Sequence, residues 1–381
     1  MVAVVVLAAS GLTACGSGGG GATTATTAAP GGRWQPMGAS PLAGRIFPAS
    51  VWTGREEIIW GGRPCPNSRC DDPTTAPLAD GAAYNPSTNT WRSLPDSPLS
   101  ARGAFGVWTG KEMIVWGGTA ANSQYQGDGA AYDPSTNTWR RLAASPLSPR
   151  SAQMVWTGSE LFVWGGSGTS SNTLADGAAY NPSTDSWRSV ATSPLGTRQS
   201  ANAIWTGKEV LVWGGQSQQN QGYLADGAMW NPATNTWRAM AKSPLTGRLS
   251  DGVWTGQEFL VWGGEGLSTA YDDGAAYNPS TDTWRMLPPV TLAARRGQAV
   301  VWTGKEMIQW GGAGAGSGFF FADGAAYNPT ANTWSKIPSS SGRFVPRFDW
   351  TGTELLVWGG IEVTDANGHI DAAASGFRYS P

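Results

Sequence analysis

Beyond residue 33 the chain is written in short apolar runs separated by Gly, Pro, Asn, Asp and Thr, with no apolar residues recurring at helical spacing. The stretch from Ser151 to Val190 shows the pattern. Ser151–Trp156 reads as a first strand. Thr157-Gly158-Ser159 is a tight turn in which Gly supplies positive φ. Glu160–Trp164 reads as a second strand, whose unbroken run Leu161-Phe162-Val163-Trp164 predicts burial on both faces. Gly165-Gly166 ends it. Asp176–Tyr180 is a third strand, and Asn181-Pro182-Ser183-Thr184-Asp185 turns the chain, with Pro preset for the first corner. Ser186–Val190 is the fourth.

This unit recurs. A W-T-G anchor begins at Trp52, Trp108, Trp156, Trp205, Trp254, Trp302 and Trp350, at intervals of 56, 48, 49, 49, 48 and 48 residues. A W-G-G anchor begins at Trp60, Trp116, Trp164, Trp213, Trp262, Trp310 and Trp358. A Tyr-Asn-Pro anchor or close variant begins at Tyr84, Tyr132, Tyr180, Trp230, Tyr277, Tyr327 and Tyr379. Repetition near fifty residues means that no single unit buries its own apolar face. Four antiparallel strands per unit predict an all-β, seven-bladed β-propeller. Gly-Gly followed by Tyr-x-Pro-x-Thr-Asn-x-Trp resembles the kelch repeat over residues 34–381. The resemblance implies the fold, not an activity.

The last copy stops after its third strand, and the missing fourth lies at the other end, in Arg33-Trp34-Gln35-Pro36-Met37. The first strand is therefore expected outermost in the last blade, closing the ring and removing exposed sheet edges. Three Trp positions per blade account for 21 of the 22 Trp residues, and Trp230 replaces a Tyr. Packing between blades is the expected duty of all of them.

Residues 1–14 form an apolar leader ending in Leu12-Thr13-Ala14, followed by Cys15. This resembles a bacterial lipobox, which implies cleavage before Cys15 and lipidation of it. No Lys or Arg precedes the apolar run, a departure that fits a leader whose true start lies upstream. Residues 15–32 read as a Gly/Ala/Thr-rich tether, and 33–381 as the propeller. Cys65 and Cys70, the other two of three cysteines, read as a local disulfide stapling an insertion. The expectation is display outside the cytoplasm, held to the membrane by lipid alone.

Topology places the loops joining the second and third strands (b–c loops) on one face with the start of each first strand. The opposite turns, T-G-x-E and N-P-x-T-N, hardly vary and read as scaffold. The b–c loops vary, which is where function usually sits on a rigid scaffold. They carry Tyr125, Tyr223, Tyr271 and Phe320 among amides, suited to a sugar or a peptide. An Arg opens each first strand: Arg45, Arg102, Arg150, Arg198, Arg248, Arg296 (or its neighbour Arg295) and Arg343. An Asp opens most third strands: Asp80, Asp128, Asp176, Asp226, Asp273 and Asp323. Two readings stand. One is a structural girdle of Arg–Asp pairs. The other is a cationic funnel at the channel mouth for a carboxylate or phosphate.

Net charge is −2 and 14% of residues are charged, so no basic surface for nucleic acid is expected. His369 is the only His, which excludes a His metal cluster and the copper site of galactose-oxidase-like kelch enzymes. No metal and no cofactor are expected. The reading is a monomeric binding module for an extracellular protein or glycan. The alternative is a cofactor-free carbohydrate-active enzyme, of epimerase or mutarotase type, at the channel mouth.

Overall fold

The computed structural model describes residues 32–65, 70, 72, 74–169, 172–219, 222–315, 319–365 and 368–381. The leader, Cys15 and the tether up to residue 31 lie outside them. Seven four-stranded antiparallel sheets form the blades of a β-propeller, and two short ribbons stand on the b–c loops. In blade 1, β2 (Ala49–Trp52), β3 (Glu57–Trp60), β4 (Gly81–Asn85) and β5 (Thr90–Ser93) pair in chain order, innermost to outermost. The second strand is buried at every position in all seven blades, as its unbroken apolar run requires. The fourth strand is the half-exposed edge.

Closure follows the expected scheme. β1 (Arg33–Pro36) pairs with Gly376–Ser380, with Trp34 opposite Tyr379, and is outermost in blade 7. In blade 3 one boundary differs from the sequence reading by more than a residue. There the glycines Gly165 and Gly166 do not end the second strand, which continues to Gly168 and pairs with Arg150 and Ser151 across a bulge. The longer partner strand, Arg150–Trp156, supplies the extra hydrogen-bonding edge.

Two recurring contacts join the blades. The W-G-G Trp of each blade packs on the fourth-strand Trp of the next, as in Trp60–Trp139 with ring centroids 5.8 Å apart. The series runs round to Trp310–Trp34 and Trp358–Trp91, so β1 fills its post in the ring. Aromatic pairs of this kind contribute about 0.5–1.5 kcal/mol beyond buried area. Trp230, standing where other blades have Tyr, donates to Asn235 Oδ1 at 3.0 Å, as Tyr84 does to Asn89 at 2.6 Å. The second contact is a hydrogen bond from the second Gly of each W-G-G to the carbonyl of the next blade's ring Arg. It spans 2.8 Å from Gly62 to Arg102 and closes with Gly360 to Arg45 at 3.2 Å.

The scaffold turns do what repetition suggested. Thr53 caps its own turn, and Glu56 holds Arg92 of the fourth strand by two bonds of 2.7 and 3.1 Å. The same Glu–Arg pair recurs as Glu112–Arg140, Glu160–Arg188, Glu209–Arg238 and Glu258–Arg285. Cys65 and Cys70 form the expected disulfide.

Candidate functional site

The arginine ring is a girdle. Arg45 lies flat on Asp80 with two bonds of 2.8 and 3.0 Å, and its remaining donors reach the carbonyls of Gly61 and Ala43 at 2.9 Å. Arg102–Asp128, Arg150–Asp176, Arg198–Asp226 and Arg248–Asp273 repeat the pair at 2.7 to 3.0 Å. These arginines are fully buried, with 0–1% exposure, while their aspartates remain 41–59% exposed. The Arg150 guanidinium holds the Asp176 carboxyl below the usual carboxylate range. In blade 6 the ring position belongs to Arg295, paired with Asp323 at 2.9 Å, and not to Arg296. Arg296 points the other way, to Glu265 at 3.0 Å. Strand alternation explains the exchange: adjacent residues face opposite sides. In blade 7 Ser375 stands where the others have Asp. Arg343 there takes the Ser375 hydroxyl at 2.8 Å and is paired with Glu362 from the b–c loop. The guanidiniums turn to these acidic and hydroxyl partners, the arrangement that the girdle reading expects.

The candidate aromatics divide the same way. Tyr271 covers the buried Arg248, with the guanidinium carbon 4.0 Å from its ring centre. Phe320 is half-buried, stacked on Phe344 at 5.7 Å and packed into a small second core with Ile46, Cys65, Cys70 and Ile361. Its neighbour Phe319 faces solvent instead, at 78% exposure. Tyr125 and Tyr223 are half-buried at the bases of their loops, where Tyr125 bridges to Thr119 and Tyr223 pairs with Gln216. His369 sits on the blade 7 loop beside Asp365, with Nδ1 and Oδ2 2.5 Å apart. Its charge is favoured by that carboxylate.

Beside its half-exposed aspartates the b–c face presents apolar side chains. Among the described residues five large hydrophobic side chains are exposed: Phe47, Leu267, Met286, Phe319 and Val363. All but Met286 lie on the b–c side.

A second polar site lies lower, on the first strands of blades 7 and 1 and the second strand of blade 1. Asp349 and Arg347 come from blade 7, Ser50 and Glu57 from blade 1. The Ser50 hydroxyl bridges the two carboxyl groups, bonding Glu57 and standing 3.2 Å from Asp349 Oδ2. Burial first, and then the charge of Asp349, pushes the Glu57 carboxyl well above the usual range. Asp251 of blade 5 is reached by solvent yet enclosed by protein. That enclosure raises its carboxyl, and Arg347 opposes the rise. No group of three His, Cys, Asp or Glu side chains suited to a metal occurs among the described residues, nor a helix long and apolar enough to cross a membrane.

These features can be set beside known proteins. The model of the KLHDC2/KLHL20/DRC7 Kelch-repeats domain matches residues 47–245 and again 152–360. The chain belongs to the kelch-repeat family. No curated protein matches it. A solved kelch-like neighbour in fold, titled "Structure of YjhT", is 20% identical, with a TM-score of 0.57, covering 74% of this chain and 95% of that one. At that identity the likeness concerns the fold alone.

Within this kelch propeller the polar quartet of Glu57, Ser50, Asp349 and Arg347 escaped the sequence reading. The trace was there in the repeats. Where Glu57 stands, the other copies have Met113, Leu161, Val210, Phe259, Met307 and Leu355. Where Asp349 stands, they have Val51, Val107, Val155, Ile204, Val253 and Val301. Comparing copies for shared residues finds the scaffold; comparing them for exceptions finds this site.

Proposed function

We propose that the protein is an extracytoplasmic binding module that docks a protein partner on its b–c face. A kelch propeller is consistent with an interaction module, and the observation that carries the finer reading is the set of exposed apolar side chains on one face. Leu267 at 81% exposure and Phe319 at 78% rise from neighbouring loops, with Phe47 and Val363 on the same side. Aliphatic side chains beside an aromatic one suit a protein surface better than a sugar ring, and such patches mark interaction sites. Below them the arginines of the girdle are paired with Asp80, Asp128, Asp176, Asp226, Asp273, Asp323 and Glu362.

Two further features support the extracytoplasmic part. The Cys65–Cys70 disulfide belongs to an oxidising compartment. The antiparallel pairing of β1 with Gly376–Ser380 starts Arg33 on the face of the scaffold turns. A lipid on Cys15 would therefore hold the propeller from that side. The b–c face then points away from the membrane.

The test is photo-crosslinking on intact cells, with a photoreactive residue at Leu267, Phe319 or Met286. Discrete adducts from Leu267 and Phe319 but not from Met286, on the blade 5 edge strand, are the expected result. Equal labelling from all three positions, or none from any, overturns the docking face. A panel of envelope glycans in a melting assay tests the sugar reading separately, since a ligand at a hundredfold excess over its Kd stabilises by about 2.7 kcal/mol.

A further inference from the structure

Seven seams join the blades of this ring, and six are built alike. The residue before each W-T-G Trp shares an apolar cluster with the first core residue of the next blade's second strand. The pairs are Val51 with Met113, Val107 with Leu161, Val155 with Val210, Ile204 with Phe259, Val253 with Met307 and Val301 with Leu355. The seventh seam, where the last blade meets the first, has Asp349 and Glu57 in those two places. Hydrocarbon is replaced by two carboxyl groups at the one seam where the two ends of the repeat array meet.

The surroundings decide how many charges this seam tolerates. Glu57 is 2% exposed, and its Oε2 has no hydrogen-bond donor among the described residues. The Ser50 hydroxyl lies between the carboxyl groups and carries one proton for two acceptors. Arg347, also on the first strand of blade 7, is the one cation facing the pair among the described residues. Its Nε and Nη2 are buried without hydrogen-bond partners, and its guanidinium lies 5.5 Å from the Phe105 ring centre. Asp251, from blade 5, draws on the same cation. Three carboxyl groups thus share one guanidinium, with Glu57 buried, Asp349 and Arg347 half-buried and Asp251 exposed. Ionising Glu57 beside an ionised Asp349 would bury an uncompensated charge, which costs several kcal/mol. Retaining a proton between two adjacent carboxyl groups avoids it.

We propose that Glu57 and Asp349 share one proton, and that this shared proton is a latch holding the first blade to the last. Glu57 keeps the proton and donates it toward Asp349, which stays ionised beside Arg347. When Glu57 releases it to solvent, two adjacent carboxylates repel across the seam and the ring loosens there.

The sign of the pH dependence follows. A carboxyl whose proton is held more tightly in the folded chain stabilises it fully below the unfolded carboxyl range. That stabilisation fades as pH rises toward the shifted value. Glu57, Asp349 and Asp251 are all displaced upward, burial being the first cause of each. The girdle aspartates Asp80, Asp128 and Asp176 are displaced downward, so their contribution changes only in stronger acid. Between pH 5 and 8 the seam can be read with little interference, apart from His369. That histidine is exposed and is removed from every sample by His369→Gln.

The experiment is the melting temperature of the full chain carrying His369→Gln, measured from pH 5 to 8. The expected result is a fall of about 2 °C per pH unit over part of this range. Glu57→Gln is neutral at every pH and still donates to Asp349. It keeps the melting temperature of pH 5 throughout. Glu57→Leu with Asp349→Val, which copies Leu161 and Val107, gives an equally flat profile. An unchanged slope in Glu57→Gln, or no slope in the parent, overturns the latch. Should the double variant fail to fold, Glu57→Gln alone decides.

Discussion

At the scale of single residues, most polar side chains of the propeller are explained by what encloses them. Arg102 shows how much rests on one guanidinium. Its Nε donates to the Ser100 carbonyl at 2.9 Å, its Nη1 pairs with Asp128 at 2.7 Å, and its side chain is fully buried. Arg102→Ala leaves a cavity, orphans those acceptors and removes the counter-charge of a half-exposed Asp. Urea denaturation is expected to show a loss of about 3 kcal/mol. Lysine does not rescue it, because one ammonium cannot reproduce the planar fork. The ring position in blade 6 was ambiguous in Arg295-Arg296 for a simple reason. Composition says that an Arg is wanted, and only the strand register says which of two neighbours faces inward.

At the scale of elements, the two kinds of turn glycine do different work. Gly54, in the W-T-G turn, has φ +89°, and a Cβ there would meet nothing within 4 Å. Gly61, in W-G-G, has φ +70°, and its Cβ would lie 2.6 Å from the Arg102 carbonyl oxygen of the next blade. Gly54→Ala therefore meets no clash and carries only the strain of a Cβ at positive φ, about 1 kcal/mol. Gly61→Ala adds a clash at the seam and is expected to cost several times as much, on the order of 3 kcal/mol. Paired urea melts of the two variants check the difference. Equal losses would show that the seam yields more readily than its geometry indicates. Both glycines were legible as turn residues from spacing alone. That the second is also an inter-blade contact was not, because the atom it approaches lies 41 residues away in the chain.

At the scale of the whole molecule, stability depends on a ring with no free end. β1 contributes Trp34, which packs on Trp310 at 4.9 Å and donates to the Pro338 carbonyl at 2.7 Å. Removing residues 1–36 strips the outer strand from blade 7 and exposes its edge. The truncated chain is expected to melt at a lower temperature and to self-associate, by calorimetry and light scattering. A truncated chain that melts like the parent would show that blade 7 is stable with three strands. Arg33 starts β1 on the face of the scaffold turns, opposite the exposed apolar side chains, which is also decided at this scale.

The repeats by themselves determined the number of blades, the order of their strands, the buried second strands and the closure by β1. Each of these depends on local periodicity or on a missing strand, and both are visible one copy at a time. Tertiary structure alone decided which groups are spent and which are available. The arginine ring became a girdle because each guanidinium meets an Asp, Ser or Glu 25 or more positions further on or in a neighbouring loop, such as Asp273 for Arg248 and Asp226 for Arg198. Phe319 rather than Phe320 became the exposed ring because the latter turned onto Phe344. The Glu57–Asp349 seam joins positions nearly 300 residues apart, and Ser50 reaches Asp349 across a separation of 299. The repeats mark both positions as exceptions, and only the closure of the ring brings them together.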